Sequence, residues 1–149
     1  MEKTWITDHF ALQELYASGY AERYHIDNTP SQAIRKRLEN LVKNVLEPAR
    51  QFYGKPIHIT SGYRCPAVNR LAKGKDNSQH LRGEAADFVV NSEKDLQMIF
   101  NFIEKNLPYD QLLFERNNSE SKSHWIHVSC KLDLSENRKQ VFHDYLKFK

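Results

Sequence analysis

Residues 78–87 read Ser-Gln-His-Leu-Arg-Gly-Glu-Ala-Ala-Asp, so that His80 and Asp87 bracket a glycine; a further histidine, His127, lies well downstream in an apolar run. Two imidazoles and one carboxylate suit zinc, whose catalytic sites take three protein ligands and keep a fourth position open for water or substrate. Asp87 and His127 each fall in a short, otherwise apolar stretch with the character of a strand. An unpaired polar side chain is costly to bury there, and coordinating a metal removes that cost. The chain has seven histidines, so spacing by itself leaves a chance pairing open beside a metal site.

Helices and strands must hold these residues. Thr29-Pro30-Ser31-Gln32 predicts a helix start, with Thr29 as N-cap, Pro30 at the first helical position and Gln32 at the capping-box position. Apolar residues recur at Ile34, Leu38, Leu41, Val42, Val45, Leu46, Ala49 and Phe52, the three-to-four spacing of a helix burying one stripe. Pro48 should kink this helix and Gly54 should end it. A shorter helix over Ala11–Ser18, with Leu12, Leu15 and Tyr16, should pack on it. From Lys55 the period changes to two, Ile57 and Ile59 alternating with His58 and Thr60 until Ser61-Gly62 breaks the run. Further strands are expected over 86–90, 111–115 and 125–130, and one helix between them, capped by Ser92 with the stripe Leu96, Ile99, Phe100 and Ile103. A hairpin-like pairing of the last two strands points to an α+β fold, an antiparallel sheet flanked by helices. One domain is expected over 1–149: a helical front at 1–54, the zinc-site core at 55–130 and a C-terminal segment at 131–149.

Composition narrows the function. With 40% hydrophobic and 28% charged residues the chain is globular rather than disordered. No apolar run approaches the roughly 20 residues of a membrane helix, and the start lacks the pattern of a secretory signal. A cytoplasmic site of synthesis is expected, and a role outside the cell would need another route of release. A net charge of +3 from 22 basic and 19 acidic residues does not mark a nucleic-acid binder. Neither nucleic acid nor membrane is expected as a partner, and the protein is expected to be a monomer. Cys65 and Cys130 are read as free thiols.

Three ordered segments carry a resemblance. Ser61-Gly62-Tyr63-Arg64-Cys65-Pro66-Ala67-Val68-Asn69, then Ser78-Gln79-His80 through Gly83-Glu84-Ala85-Ala86-Asp87, then Trp125-Ile126-His127-Val128-Ser129 resemble the zinc D-alanyl-D-alanine carboxypeptidase family of metallopeptidases. That family includes phage L-alanyl-D-glutamate endopeptidases and D-Ala-D-Ala dipeptidases, and it shares its fold with the Hedgehog signalling domain. The likeness runs from about residue 57 to 129, and the front segment Ile26-Asp27-Asn28-Thr29-Pro30 is similar to that of small single-domain members carried by phages and prophages. It implies a hydrolase acting on peptidoglycan stem peptides, of the phage endolysin type, with one zinc ion held by His80, Asp87 and His127. It also implies that Arg64 and Ser78 meet the substrate, Arg64 through a charge-assisted contact to a carboxylate or carbonyl. An ordinary salt bridge is the alternative for Arg64.

The general base is where the chain departs from the family. Some members place a Glu three residues before the last zinc-binding His, a position taken here by His124. Residues three apart on a strand face opposite ways, so His124 would look away from the metal unless the strand begins after it. Glu115, closing the run Asp110-Gln111-Leu112-Leu113-Phe114-Glu115, is favoured over His124 if that strand lies beside 125–130, and small family members show a similar Asp-Gln strand closing on Glu. Cys65 stands where many members have Ser and reads as a packing residue. Trp125 shares a face with His127 and lines the cleft or packs in the core. Glu84 reads as solvent-facing or as a support to the ligands, and His58 as a strand-face residue. The 73–77 loop and the basic C-terminal end are solvated or border the cleft. Which peptide bond is cut, D-Ala-D-Ala or L-Ala-D-Glu, stays open. The competing reading is a non-catalytic binding module of the same fold, stabilised by zinc.

Overall fold

The structure, a computed structural model, describes residues 2–148. Its helical front begins with a tight turn at Leu12–Leu15 and a short helix α1 (Gly19–Arg23). These stand where the sequence predicts one helix over Ala11–Ser18. Ser18 is extended (φ −150°, ψ 124°) and its hydroxyl accepts the Ala21 N–H, so it separates the two pieces and caps the second. Helix α2 (Gln32–Leu41) is capped by Ser31, not Thr29, because the Thr29 N–H is taken by the Asp27 carboxylate in a turn that precedes Pro30. A wide π turn (Val42–Leu46) joins α2 to α3 (Glu47–Tyr53), which ends at Gly54 as expected. The π turn accommodates Pro48, which has no N–H for the Asn44 carbonyl and whose ring would crowd it; ahead of it the Glu47 N–H reaches back five residues to Val42.

Five strands follow: β1 (His58–Ser61), β2 (Ala85–Val89), β3 (Gln111–Arg116), β4 (Trp125–Ser129) and β5 (Gln140–Leu146), ordered β1-β2-β4-β3-β5. A short helix α4 (Pro66–Leu71) follows β1, and helix α5 (Glu93–Asn106), capped by the Ser92 hydroxyl, lies between β2 and β3. The fold is α+β in a single domain, and one expectation is corrected: the sheet is mixed. β1, β2, β4 and β3 are antiparallel neighbours, but β5 runs parallel to β3. β4 ends beside the start of β3, so a strand laid on β3 after the short 130–139 connection runs in the same direction as β3. Two elements escaped the sequence reading, β5 and α4.

Alternation along the strands divides the sheet into two faces. Ala86, Phe88, Leu112, Phe114, Ile126 and Val128 face Leu38, Leu41, Val42, Val45 and Leu46 of the front and Leu96, Ile99, Phe100 and Ile103 of α5, all in one buried cluster. Burying each large apolar side chain stabilises the fold by about 1.5–3 kcal/mol. The other face, through Asp87, Leu113, Glu115, Trp125 and His127, is left mainly to polar side chains. No helix among the described residues is long and apolar enough to cross a membrane.

Candidate active site

The register of the sheet assembles most of the site. Asp87 on β2 lies directly opposite His127 on β4, Leu113 of β3 faces His127 from the other side, and Glu115 lies opposite Trp125. His80 arrives from a single turn at Gln79–Arg82, capped by the Ser78 hydroxyl and closed by Gly83 at φ 74°. A side chain at Gly83 would be strained at that φ and would press on Ile34 of α2.

His80, Asp87 and His127 each direct one ligand atom to a common point, these atoms lying within 4.8 Å of one another. His80 Nε2 is 3.3 Å and His127 Nδ1 3.0 Å from Asp87 Oδ1. Donors around a tetrahedral zinc at its usual bond lengths sit about 3.3 Å apart, so the spacing fits that ion. The chemistry fits too. His80 Nδ1 is 2.8 Å from the Gly62 carbonyl, which can only accept, so the ring donates there and turns the lone pair of Nε2 toward Asp87. Burial pushes the pKa of His80 down, favouring the neutral ring that a metal needs. Burial works against ionisation of Asp87, but the imidazoles of His80 and His127 outweigh it and hold the carboxyl far below its usual range. Two lone-pair acceptors facing each other in a buried pocket call for a cation between them.

A cleft of about 470 Å³ opens over this point, lined by Arg64, Ser78, Glu115, Trp125 and basic side chains from several loops. Glu115 is 9% exposed, and Trp125 Nε1 donates to its Oε1 at 3.1 Å. Burial and then the negative charge of Asp87 push its pKa up to about 7, against smaller pulls from His127, Lys147 and Trp125. Arg64 is buried and held on two sides, Nε donating to Ser61 Oγ at 3.0 Å and Nη1 to Asn69 Oδ1 at 3.2 Å, while Nη2 lies 3.6 Å from Asp87 Oδ2. Arg64, Asp87, Trp125 and Lys147 also line a second cavity, of about 490 Å³, on the side of Tyr20 and Tyr63. The two cavities share these four residues, while His80 and His127 line only the first.

His124 is not brought to the cluster. It precedes β4, its ring stacks on Phe114 of the core face at 4.4 Å, and its nitrogens lie 2.9 Å from Glu93 and 3.5 Å from Asp144. Glu84 departs from a solvent-facing reading: it is buried and held by Arg82 at 2.8 Å and Lys131 at 3.3 Å. His58 is exposed on the edge strand. Lys73, Gly74, Lys75 and Asn77 border the cleft, and both cysteines are free thiols.

Sequence reasoning assigned no role to Gln79 or Asp110. Asp110 is fully buried; burial opposes its ionisation, but bonds from Arg138 and Gln79 lower its pKa to about 2. Its one sequence signal is an acid at the mouth of an apolar strand, which must find a partner once buried.

No curated protein sequence matches the chain. A family model described as Peptidase M15 matches residues 8–129, a span that contains His80, Asp87, His127 and Glu115. The chain belongs to the peptidase M15 family.

Proposed function

We propose that this protein is a zinc-dependent peptidase that hydrolyses a bond of the peptidoglycan stem peptide, of the D-Ala-D-Ala carboxypeptidase or L-Ala-D-Glu endopeptidase type. The observation that carries the reading is the convergence of His80, Asp87 and His127 beside a buried carboxylate, Glu115, whose pKa lies at about 7. Zinc bound by the three ligands supplies a Lewis acid for the scissile carbonyl and makes water more acidic. Glu115 takes the proton of the attacking water and returns it to the leaving amine; a carboxyl titrating near the working pH suits both halves of that task. Trp125 holds Glu115 Oε1, which leaves Oε2 for the transfer. Arg64, fixed by Ser61 and Asn69, presents its guanidinium to a substrate carboxylate or carbonyl. Ser78 caps the turn that carries His80 and borders the same cleft.

The basic lining favours peptides that carry free carboxylates, as stem peptides do. Mass analysis of purified peptidoglycan after digestion, with and without a chelator, tests the reading. New peptide ends are expected with zinc, none with chelator, and none from His80→Ala. A protein whose melting temperature rises with zinc but which cleaves no muropeptide would instead be a binding module.

A further inference from the structure

Behind the ligand cluster lies a chain of buried polar groups that the chemistry above does not use. Gln79 immediately precedes His80, and its Oε1 is 3.4 Å from His127 Nε2. Its Nε2 donates to Asp110 Oδ2 at 2.7 Å. Asp110 sits at the mouth of β3 and is fully buried, while Gln79 is 9% exposed. Arg138 grips the same carboxylate from the 130–139 connection: its backbone N and Nε donate to Oδ1 at 2.9 and 3.0 Å, and Nη2 to Oδ2 at 2.7 Å.

The logic of donors and acceptors runs one way along this chain. A carboxylate only accepts, so the Gln79 amide must present its NH₂ to Asp110 and its oxygen to His127. An amide oxygen only accepts, so His127 Nε2 must carry the proton. A neutral imidazole has one ring proton, and Nδ1 is left with its lone pair aimed at Asp87 Oδ1, 3.0 Å away. His80 is set the opposite way, with its proton on Nδ1 toward Gly62 and Nε2 free. The two histidines therefore offer different nitrogens to one point.

We infer that Arg138, Asp110 and Gln79 form a relay that fixes His127 as the Nε2–H tautomer and so makes Gln79 and Asp110 positioning residues for the metal ligand, an inference that rests on the metal reading of the cluster. Ligands held by such partners lose roughly 10–100-fold in metal affinity when the partner is altered.

The sharpest test is Asp110→Asn, nearly isosteric and acting on the ligand only through Gln79. With its oxygen kept on the backbone N–H and Nε of Arg138, the substituted amide would put its NH₂ where Oδ2 stood and give up the bond from Arg138 Nη2. Gln79 must then turn its own oxygen to that NH₂ and its own NH₂ to His127, forcing Nε2 to accept and the proton onto Nδ1. Gln79→Met removes the acceptor at similar size and frees the ring to take both tautomers. Two measurements on the full chain follow. ¹⁵N NMR of the ring nitrogens in zinc-free protein, above the usual imidazole titration range, reads the tautomer; titration with zinc chloride against a competing chelator reads affinity. Wild type is expected as Nε2–H, D110N as Nδ1–H with zinc binding weakened about 10–100-fold, and Q79M as a mixture with a smaller loss. If D110N does not fold, Q79M decides. Folded variants that keep the wild-type tautomer and bind zinc within about twofold of wild type overturn the relay. Failure of the wild type to bind zinc would sink the metal reading, and the tautomer measurement would still decide the relay. Zinc binding without peptide cleavage would sink only the proposed activity.

Discussion

On the Glu115 carboxyl, burial and the negative charge of Asp87 outweigh smaller pulls from His127, Lys147 and its one hydrogen-bond donor, Trp125 Nε1. Replacing Glu115 by Gln keeps the shape and the Trp125 contact but removes proton transfer, so kcat should fall about 10²–10⁴-fold, with zinc affinity nearly unchanged; equal kcat in E115Q would remove Glu115 from the mechanism. The same carboxyl predicts a pH effect on metal-free protein. Its folded pKa of about 7 lies above the unfolded value, so the folded state binds the extra proton. Stability should therefore decline as pH rises from the unfolded value through about 7, by on the order of 3 kcal/mol, and E115Q should flatten that slope. Urea unfolding of both proteins at several pH values between those limits checks the sign. His80, Asp87 and His127 could be picked out of the sequence because imidazole and carboxylate chemistry is distinctive and their segments occur in a known order. Glu115 followed from the expected pairing of its strand beside 125–130, a pairing the sheet shows, and from the resemblance, whereas strand parity argued only against His124. Gln79 could not be found this way, since an amide has no chemistry of its own until Asp110 fixes which end is the donor.

Between elements, a close constraint on the site is the crossing of the Leu12–Leu15 turn over the loop after β1. The Tyr63 N–H bonds to the Leu15 carbonyl at 2.7 Å, and a Cβ on Gly62 would lie well inside contact distance of that carbonyl. The Gly62 carbonyl is also the acceptor for His80 Nδ1. Gly62→Ala must push two backbones apart, which should destabilise the protein by about 1–3 kcal/mol and weaken zinc binding as His80 loses its anchor. Denaturant unfolding and chelator competition read the two effects; a variant that loses stability yet binds zinc as tightly would show that the Gly62 contact does not orient His80. The alternating run at β1, the short apolar runs of β2, β3 and β4, which are buried along most of their length, and the apolar stripe and Ser92 cap of α5 were readable because burial imposes each pattern. β5 was not readable, since it is an edge strand whose middle residues, Phe142, His143 and Asp144, are all exposed and leave no buried alternation. The helix boundary at Ser31 was misplaced for a different reason: Asp27, Thr29 and Ser31 all favour local side-chain bonds to the backbone, and only the packing of the chain chooses among them.

Over the molecule as a whole, a modest net charge conceals a strongly cationic cleft. Arg64, Lys73, Lys75, Arg82, Lys131, Arg138 and Lys147 line it, against Asp87 and Glu115. Arg82 and Lys131 are paired with Glu84, and Arg138 with Asp110. Lys73, Lys75 and Lys147 have no ion-pair partner among the described residues. β5 matters here beyond closing the sheet edge, because it delivers Lys147 to the cleft, where its ammonium bonds the Ala72 carbonyl at 3.4 Å beside the 73–77 loop. An anionic peptide would meet this field before it touches the ligands, and screening should weaken it as the Debye length shrinks from about 10 Å at 0.1 M salt to about 3 Å at 1 M. The kcat/KM for a muropeptide with free carboxylates should therefore fall with added sodium chloride, and more steeply than for the same peptide amidated. Each of these lysines, Lys73 and Lys75 exposed and Lys147 half-buried, contributes up to about 1 kcal/mol, a factor of about five, so changing all three to Gln should cost roughly 5–50-fold in kcat/KM and flatten the salt dependence. Lys147→Gln carries a second signature. Its charge helps hold the Glu115 pKa down, so removing it should move the acid limb of the pH–rate profile upward, whereas Lys75→Gln should leave that limb in place. A kcat/KM that is independent of salt for both peptides would show that the cationic rim has no part in substrate capture.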